Sequence, residues 1–131
     1  MDESGIIRLL LAELPELQAA YVFGSEARGD STPQSDIDLA ILVPVALEAV
    51  ARWELQEKLA NLLRRDVDLV DLCTASAVMR ASVLSDSRLL FDGAPTDRQL
   101  FEALALSDYA RLNEERREIL EQVRREGRVY A

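Results

Sequence analysis

Two aspartates one residue apart, Asp36 and Asp38, stand at the entrance of the apolar run IDLAILV, residues 37–43. That run reads as a strand buried on both faces. Side chains alternate along a strand, so residues i and i+2 project from the same face. Asp36 and Asp38 therefore share a face, while Ile37, Leu39 and Ile41 take the other and join the core. The spacing recurs at Asp66 and Asp68 within RRDVDLVDL, where Asp71 falls on the opposite face from Asp68. If the two strands are neighbours, Asp68 approaches Asp36 and Asp38, and three carboxylates converge. Converging carboxylates raise one another's pKa unless a cation neutralises them. Oxygen ligands without imidazole or thiolate suit Mg²⁺ or Mn²⁺, and a pair of such ions serves in-line phosphoryl or nucleotidyl transfer. A second reading stays open on the aspartates alone: they cap strand ends or pair with arginines such as Arg28, Arg64 and Arg65.

Upstream, the short apolar run AAYVF leads into Gly24-Ser25 and a polar stretch, residues 24–35. A strand followed by Gly-Ser can bring backbone N–H groups close to a phosphate, with the Ser25 hydroxyl as a further donor. Arg28 is a candidate phosphate contact or a partner of Asp30 or Asp36. Ser35 is a candidate hydrogen-bonding group of the same loop. Glu26 and Asp30 place two acids on the phosphate side, where they weaken nucleotide binding unless Arg28 offsets them.

Composition narrows the chemistry. The 131-residue chain has no histidine and one cysteine, Cys73. Imidazole-based catalysis, a zinc cluster and a disulfide framework within the chain are excluded. The net charge of −9 repels nucleic acid unless a local basic patch exists, so no direct nucleic-acid binding is expected. No apolar run approaches the roughly 18 residues of a membrane span. The N-terminal MDESGIIRLLLAELP lacks the basic segment and cleavage site of a secretory signal. A cytoplasmic location without membrane association is expected. Hydrophobic content of 49% over this length suffices for one domain, residues 1–131, with a real core.

The elements that must position these residues follow from periodicity. Helices are predicted over 4–14, 47–64, 75–85 and 96–127, and strands over 19–23, 37–43, 66–72 and 88–93. Thr96-Asp97-Arg98-Gln99 fits a capping box and Gly127 a C-terminal stop. The second half of the last helix is strongly charged, with sparse apolar positions. It reads as a solvated amphipathic helix or as a docking helix for a partner. Trp53, Tyr109 and Cys73 read as packing residues, and Asp71 as structural. The sum is an α/β fold: a small, mixed, twisted sheet flanked by helices, with a long C-terminal helix.

Gly24-Ser25, ten residues, then Asp36-Ile37-Asp38 resembles the GS-x10-DxD signature of the DNA polymerase β-like nucleotidyltransferase superfamily. Arg65-Asp66-Val67-Asp68-Leu69 resembles its third-carboxylate strand. Over nearly the whole chain, GSEARGD, SDIDLAIL, DVDLVDL, VMRASVL, RLLFDG and SDYARL together look like the minimal nucleotidyltransferase (MNT) antitoxins. The resemblance implies Asp36, Asp38 and Asp68 as catalytic metal ligands, Asp66 being a weaker rival for the third place. It implies Gly24, Ser25, Arg28 and Ser35 on the nucleotide side, Mg²⁺ or Mn²⁺ as cofactor and ATP as substrate. It further implies a cognate toxin with a HEPN domain as partner, in a hetero-oligomer, and transfer of AMP to a toxin tyrosine that silences it. A chain of this length hardly has room for a domain holding the acceptor, so the partner is expected to bring it. Two other functions are weighed against this one. A non-catalytic antitoxin would neutralise by contact, through its acidic surface and terminal helix. A small-molecule transferase of the aminoglycoside type would need the missing acceptor domain.

Overall fold

The computed structural model describes residues 1–130, with side chains described through residue 127. Helices α1 (Glu3–Glu13), α2 (Ser25–Arg28), α3 (Ala49–Leu63), α4 (Ala77–Ser85) and α5 (Pro95–Tyr130) alternate with strands β1 (Ala19–Phe23), β2 (Ile37–Leu42), β3 (Val67–Asp71) and β4 (Ser87–Asp92). The sheet order is β3-β2-β1-β4. β1 runs antiparallel to both β2 and β4, while β2 and β3 are parallel, joined through α3. The mixed sheet with flanking helices and a long terminal helix is the expected architecture.

Alternation along the strands divides the core in two. Ile37, Leu39 and Ile41 of β2 and Val67 and Leu69 of β3 pack with Ile6 and Leu10 of α1 and Leu55 and Leu59 of α3. On the opposite face Ala19 and Tyr21 of β1, Ala40 and Leu42 of β2, and Leu72 meet Val83 of α4, with Phe101 of α5 alongside. Burying each large aliphatic side chain stabilises the fold by about 1.5–3 kcal/mol, which fixes strand register: a one-residue slip would expose a whole face. The start of α5 is fastened by polar contacts. The buried Tyr21 hydroxyl donates to Glu102 Oε1 at 2.8 Å. Arg98 pairs with Glu102 and Asp92, each at 3.0 Å.

Several local expectations need correction. Residues 24–35 are not all loop, because Ser25–Arg28 form the single helical turn α2. Thr96 is not the cap of α5. The helix starts at Pro95, and the Arg98 N–H donates to Ala94 O at 2.9 Å. Proline is pre-organised for the first helical position and lacks an N–H that would be unpaired there anyway. Gly127 does not end α5, which continues to Tyr130. A glycine stops a helix only by turning left-handed, and the positive-φ glycines are Gly24 and Gly29. Trp53, read as core or edge packing, is 55% exposed, which excludes the core and leaves the edge, and Cys73 is half-buried, its Sγ donating to Val43 O at 3.0 Å.

Asp71 is structural, as its parity suggested. It is 2% exposed and accepts from Leu47 N at 2.8 Å and Cys73 N at 2.9 Å. These bonds tie the end of β3 to the segment entering α3. Asp71→Ala strands both N–H groups, each costing about 1–3 kcal/mol when left unpaired. The expected outcome is a large fall in the urea unfolding midpoint with the carboxylates of the opposite face untouched.

Candidate active site

The sheet brings together residues far apart in sequence. Phe23 lies opposite Asp38 in the antiparallel pair, and Asp38 lies opposite Asp68 in the parallel pair. One row across three strands therefore carries Phe23, Asp38 and Asp68. Asp36 precedes β2, whose first N–H, that of Ile37, donates to Asp66 O at 2.8 Å. The carboxylates sit on the face that packs further along the sheet against α4 and α5, beyond the reach of that core. Asp36 and Asp68 are exposed and Asp38 is half-buried.

Burial first, then the like charges of Asp68 and Asp36, push the Asp38 carboxyl above its ordinary pKa, with Arg28 opposing. Asp36, Asp38 and Asp68 therefore share one electrostatic field, and among the described residues none of their side chains has a hydrogen-bond donor or a salt-bridge partner. No three acidic, imidazole or thiol groups among the described residues close into a ready coordination shell. An open set of oxygen donors of this kind suits Mg²⁺, which binds one or two carboxylates and completes its sphere with phosphate oxygens and water. The residues present fit such an ion, and its charge answers the repulsion recorded at Asp38.

Gly24 stands against this row. Its φ of 68° and ψ of −143° lie in territory that only glycine occupies easily. A Cβ there would meet Asp38 Oδ2 at 2.5 Å. The backbone thus passes directly over the carboxylate before Ser25 opens α2, whose first N–H groups point away from any intrahelical partner. Gly29, with φ 79°, closes the turn in the left-handed region.

Arg28 does not pair with Asp36. Its Nε donates to Asp30 Oδ2 at 3.3 Å and its Nη1 to Asp86 Oδ2 at 2.6 Å. Asp86, at the end of α4, was not anticipated as a partner, because only the fold brings it to α2. The Ser35 Oγ accepts from Thr32 N at 2.9 Å and lies 3.1 Å from Thr32 Oγ1, so this hydroxyl shapes the loop. Asp66 is exposed beside the entrance to β3.

The acids of the loop are less free than their sequence suggests. Glu26 pairs with Arg65 at 2.6 Å, both side chains being mostly buried. Burial alone would raise the Glu26 pKa, but the bonds from Arg65 and Ser31 prevail and hold its carboxyl below the usual range. Asp30 is paired with Arg28. Neither acid is left unpaired to repel a phosphate. α3 ends at Arg64 in a left-handed conformation, φ 53°, and Arg65 follows it into the turn before β3. The sequence suggests Arg65 only as a partner for the aspartates. No local spacing identifies its role, since Glu26 lies 39 residues away.

Comparison with known proteins bears on this arrangement. The polymerase beta nucleotidyltransferase family matches residues 6–96. The protein adenylyltransferase MntA of Shewanella oneidensis is 42% identical over 123 residues, covering 94% of this chain and 88% of that protein. A crystal structure of a toxin–antitoxin with AMP-PNP superposes with a TM-score of 0.86 at 42% identity, covering 94% of this chain and 98% of the other. An MNT antitoxin in complex with the tri-AMPylated HEPN toxin of Shewanella oneidensis superposes with a TM-score of 0.78 at 41% identity, covering 92% and 94%.

Proposed function

Because this chain belongs to the polymerase beta nucleotidyltransferase family, we propose that it is an antitoxin that transfers AMP from ATP to a tyrosine hydroxyl of a HEPN-domain toxin and so silences it. The observation that carries this reading is the row joining Asp38 to Asp68 with the Gly24 backbone against it. The relatives support the rest: one is a protein adenylyltransferase, and another is bound to an AMPylated HEPN toxin.

In this mechanism Asp36 and Asp38 would hold the cation that accompanies the triphosphate, and Asp68 would be the third ligand. A bound Mg²⁺ or Mn²⁺ would offset the phosphate charge and lower the pKa of the acceptor hydroxyl. Gly24 and Ser25 hold the β- and γ-phosphates through backbone N–H groups and the Ser25 hydroxyl. The tyrosine oxygen attacks the α-phosphorus, the bond to the bridging oxygen breaks, and pyrophosphate leaves. Asp68, exposed at the edge of the row, receives the phenol proton. Arg28, bonded to Asp30 and Asp86 beside α2, is the cation we assign to the departing phosphates. No helix among the described residues is long and apolar enough to cross a membrane, and we assign the protein to the cytoplasm, where ATP and the toxin meet.

Co-expression with a cognate HEPN-domain toxin tests the function. The toxin is expected to carry one or more AMP additions in its intact mass, lost when this chain is omitted. An unmodified but neutralised toxin would instead point to a contact antitoxin.

A further inference from the structure

We propose that Arg65 is a positioning residue for the reaction above: it braces the phosphate-side turn against the mouth of β2 and so sets the distance between nucleotide and metal ligands. The inference rests on the nucleotidyltransferase reading and concerns a residue outside the Gly-Ser and Asp-x-Asp elements. The Arg65 Nη1 donates to Glu26 Oε1 at 2.6 Å. Nε and Nη2 both donate to Ser35 O, at 3.1 and 2.7 Å, and Nη2 also reaches Thr32 O at 3.2 Å. Glu26 follows Ser25 in α2, and Ser35 immediately precedes Asp36. One planar guanidinium thus grips the neighbour of each half of the site.

The intervening loop needs such a grip. Residues 28–30 and 32–34 are exposed and belong to no strand. A turn closed by Ser35 N donating to Thr32 O at 3.0 Å gives the loop a local shape, and Asp30 N donating to Ser25 O at 3.1 Å ties its start to α2, but neither bond ties Ser35, at the mouth of β2, to that turn. Arg65 closes that gap across the carbonyl side of the turn. The Arg65 and Glu26 side chains are 21% and 14% exposed, so water competes weakly for these bonds. A lysine carries the same charge yet presents a point of donors rather than a rigid fork, and cannot serve all three partners at once.

The test is calorimetric titration of the full chain with AMP-PNP and Mg²⁺, with the unfolding midpoint and toxin binding measured on the same samples. Outer-shell groups that orient metal ligands typically contribute about 10–100-fold to metal affinity or activity, and AMP-PNP is titrated here together with Mg²⁺. Arg65→Lys is expected to weaken AMP-PNP binding at least about tenfold while the chain stays folded and still binds toxin. Unchanged affinity in Arg65→Lys, with wild type binding normally, would overturn the brace and leave the proposed function standing. A wild-type chain that does not bind AMP-PNP would remove both. If Arg65→Lys does not fold, Glu26→Gln is read in its place. It weakens one end of the brace by removing charge, and is expected to lower affinity several-fold in a chain that still folds, with a lower unfolding midpoint because the mostly buried Arg65 loses its counter-charge. Unchanged affinity in that variant overturns the proposal equally.

Discussion

Replacing Asp36 and Asp38 together by asparagine is expected to abolish AMP transfer to the toxin while the chain remains folded. Asparagine keeps the volume and one oxygen of each side chain but removes both charges. A cation at transferring phosphates supplies several kcal/mol of charge stabilisation, so its loss lowers the rate by on the order of 10³-fold or more. Stability moves the other way. Asp38 is half-buried and carries the like charges of Asp68 and Asp36 as neighbours. Removing two of the three charges relieves that repulsion, and the metal-free variant is expected to unfold at a higher temperature than wild type at neutral pH. The pair of measurements separates a functional constellation, which costs stability, from strand-end caps, whose loss lowers it. Labelled ATP with purified toxin reads the first, and thermal unfolding without divalent cations the second. Full transfer by the double variant would sink the mechanism. Intact neutralisation by it, lost on deletion of residues 112–131, would favour a contact antitoxin.

Gly24→Ala carries the second largest expected effect. The backbone there, φ 68° and ψ −143°, costs a residue with a side chain about 1–3 kcal/mol. The added Cβ also falls 2.5 Å from Asp38 Oδ2, so either the carboxylate turns away or the α2 turn lifts. Either response separates the proposed phosphate donors from the proposed metal ligands. We expect AMP-PNP affinity and transfer to fall together by at least about tenfold, with a lower unfolding midpoint. Gly29→Ala is the internal comparison. It shares a positive φ, 79°, yet its Cβ would meet nothing within 4 Å. It should lose stability and keep most of its nucleotide affinity. Equal losses of affinity in the two variants would show that strain alone, and not the approach to Asp38, accounts for the effect.

The expectations that held and those that failed separate along a physical line. Strand β1 is legible as an uninterrupted apolar run, AAYVF, and β2 and β3 as short apolar runs whose polar interruptions are the aspartates themselves. The predicted strands 37–43 and 66–72 differ from β2 and β3 by a residue or so at their ends. Helix ends were read less well. Thr96 and Gly127 have the right residue types for caps, but Pro95 pre-empts the first, and at Gly127 the chain keeps helical dihedrals. α2 carries no periodic signal because four residues are too few to show one.

By itself the sequence determined the chemistry available to this protein: oxygen ligands on strands, a glycine-serine turn ten residues upstream, and no imidazole. Residue type and strand parity are local properties, and they survive in a linear reading. Only the tertiary structure decided which charges meet. It set Asp38 opposite Asp68, drew Arg28 to Asp86, and placed Arg65 on Glu26 and Ser35. Coulomb energies depend on separation in space and on burial, neither of which sequence distance encodes. An acid that reads as a hindrance to nucleotide binding, Glu26, becomes in the fold one end of a buried ion pair.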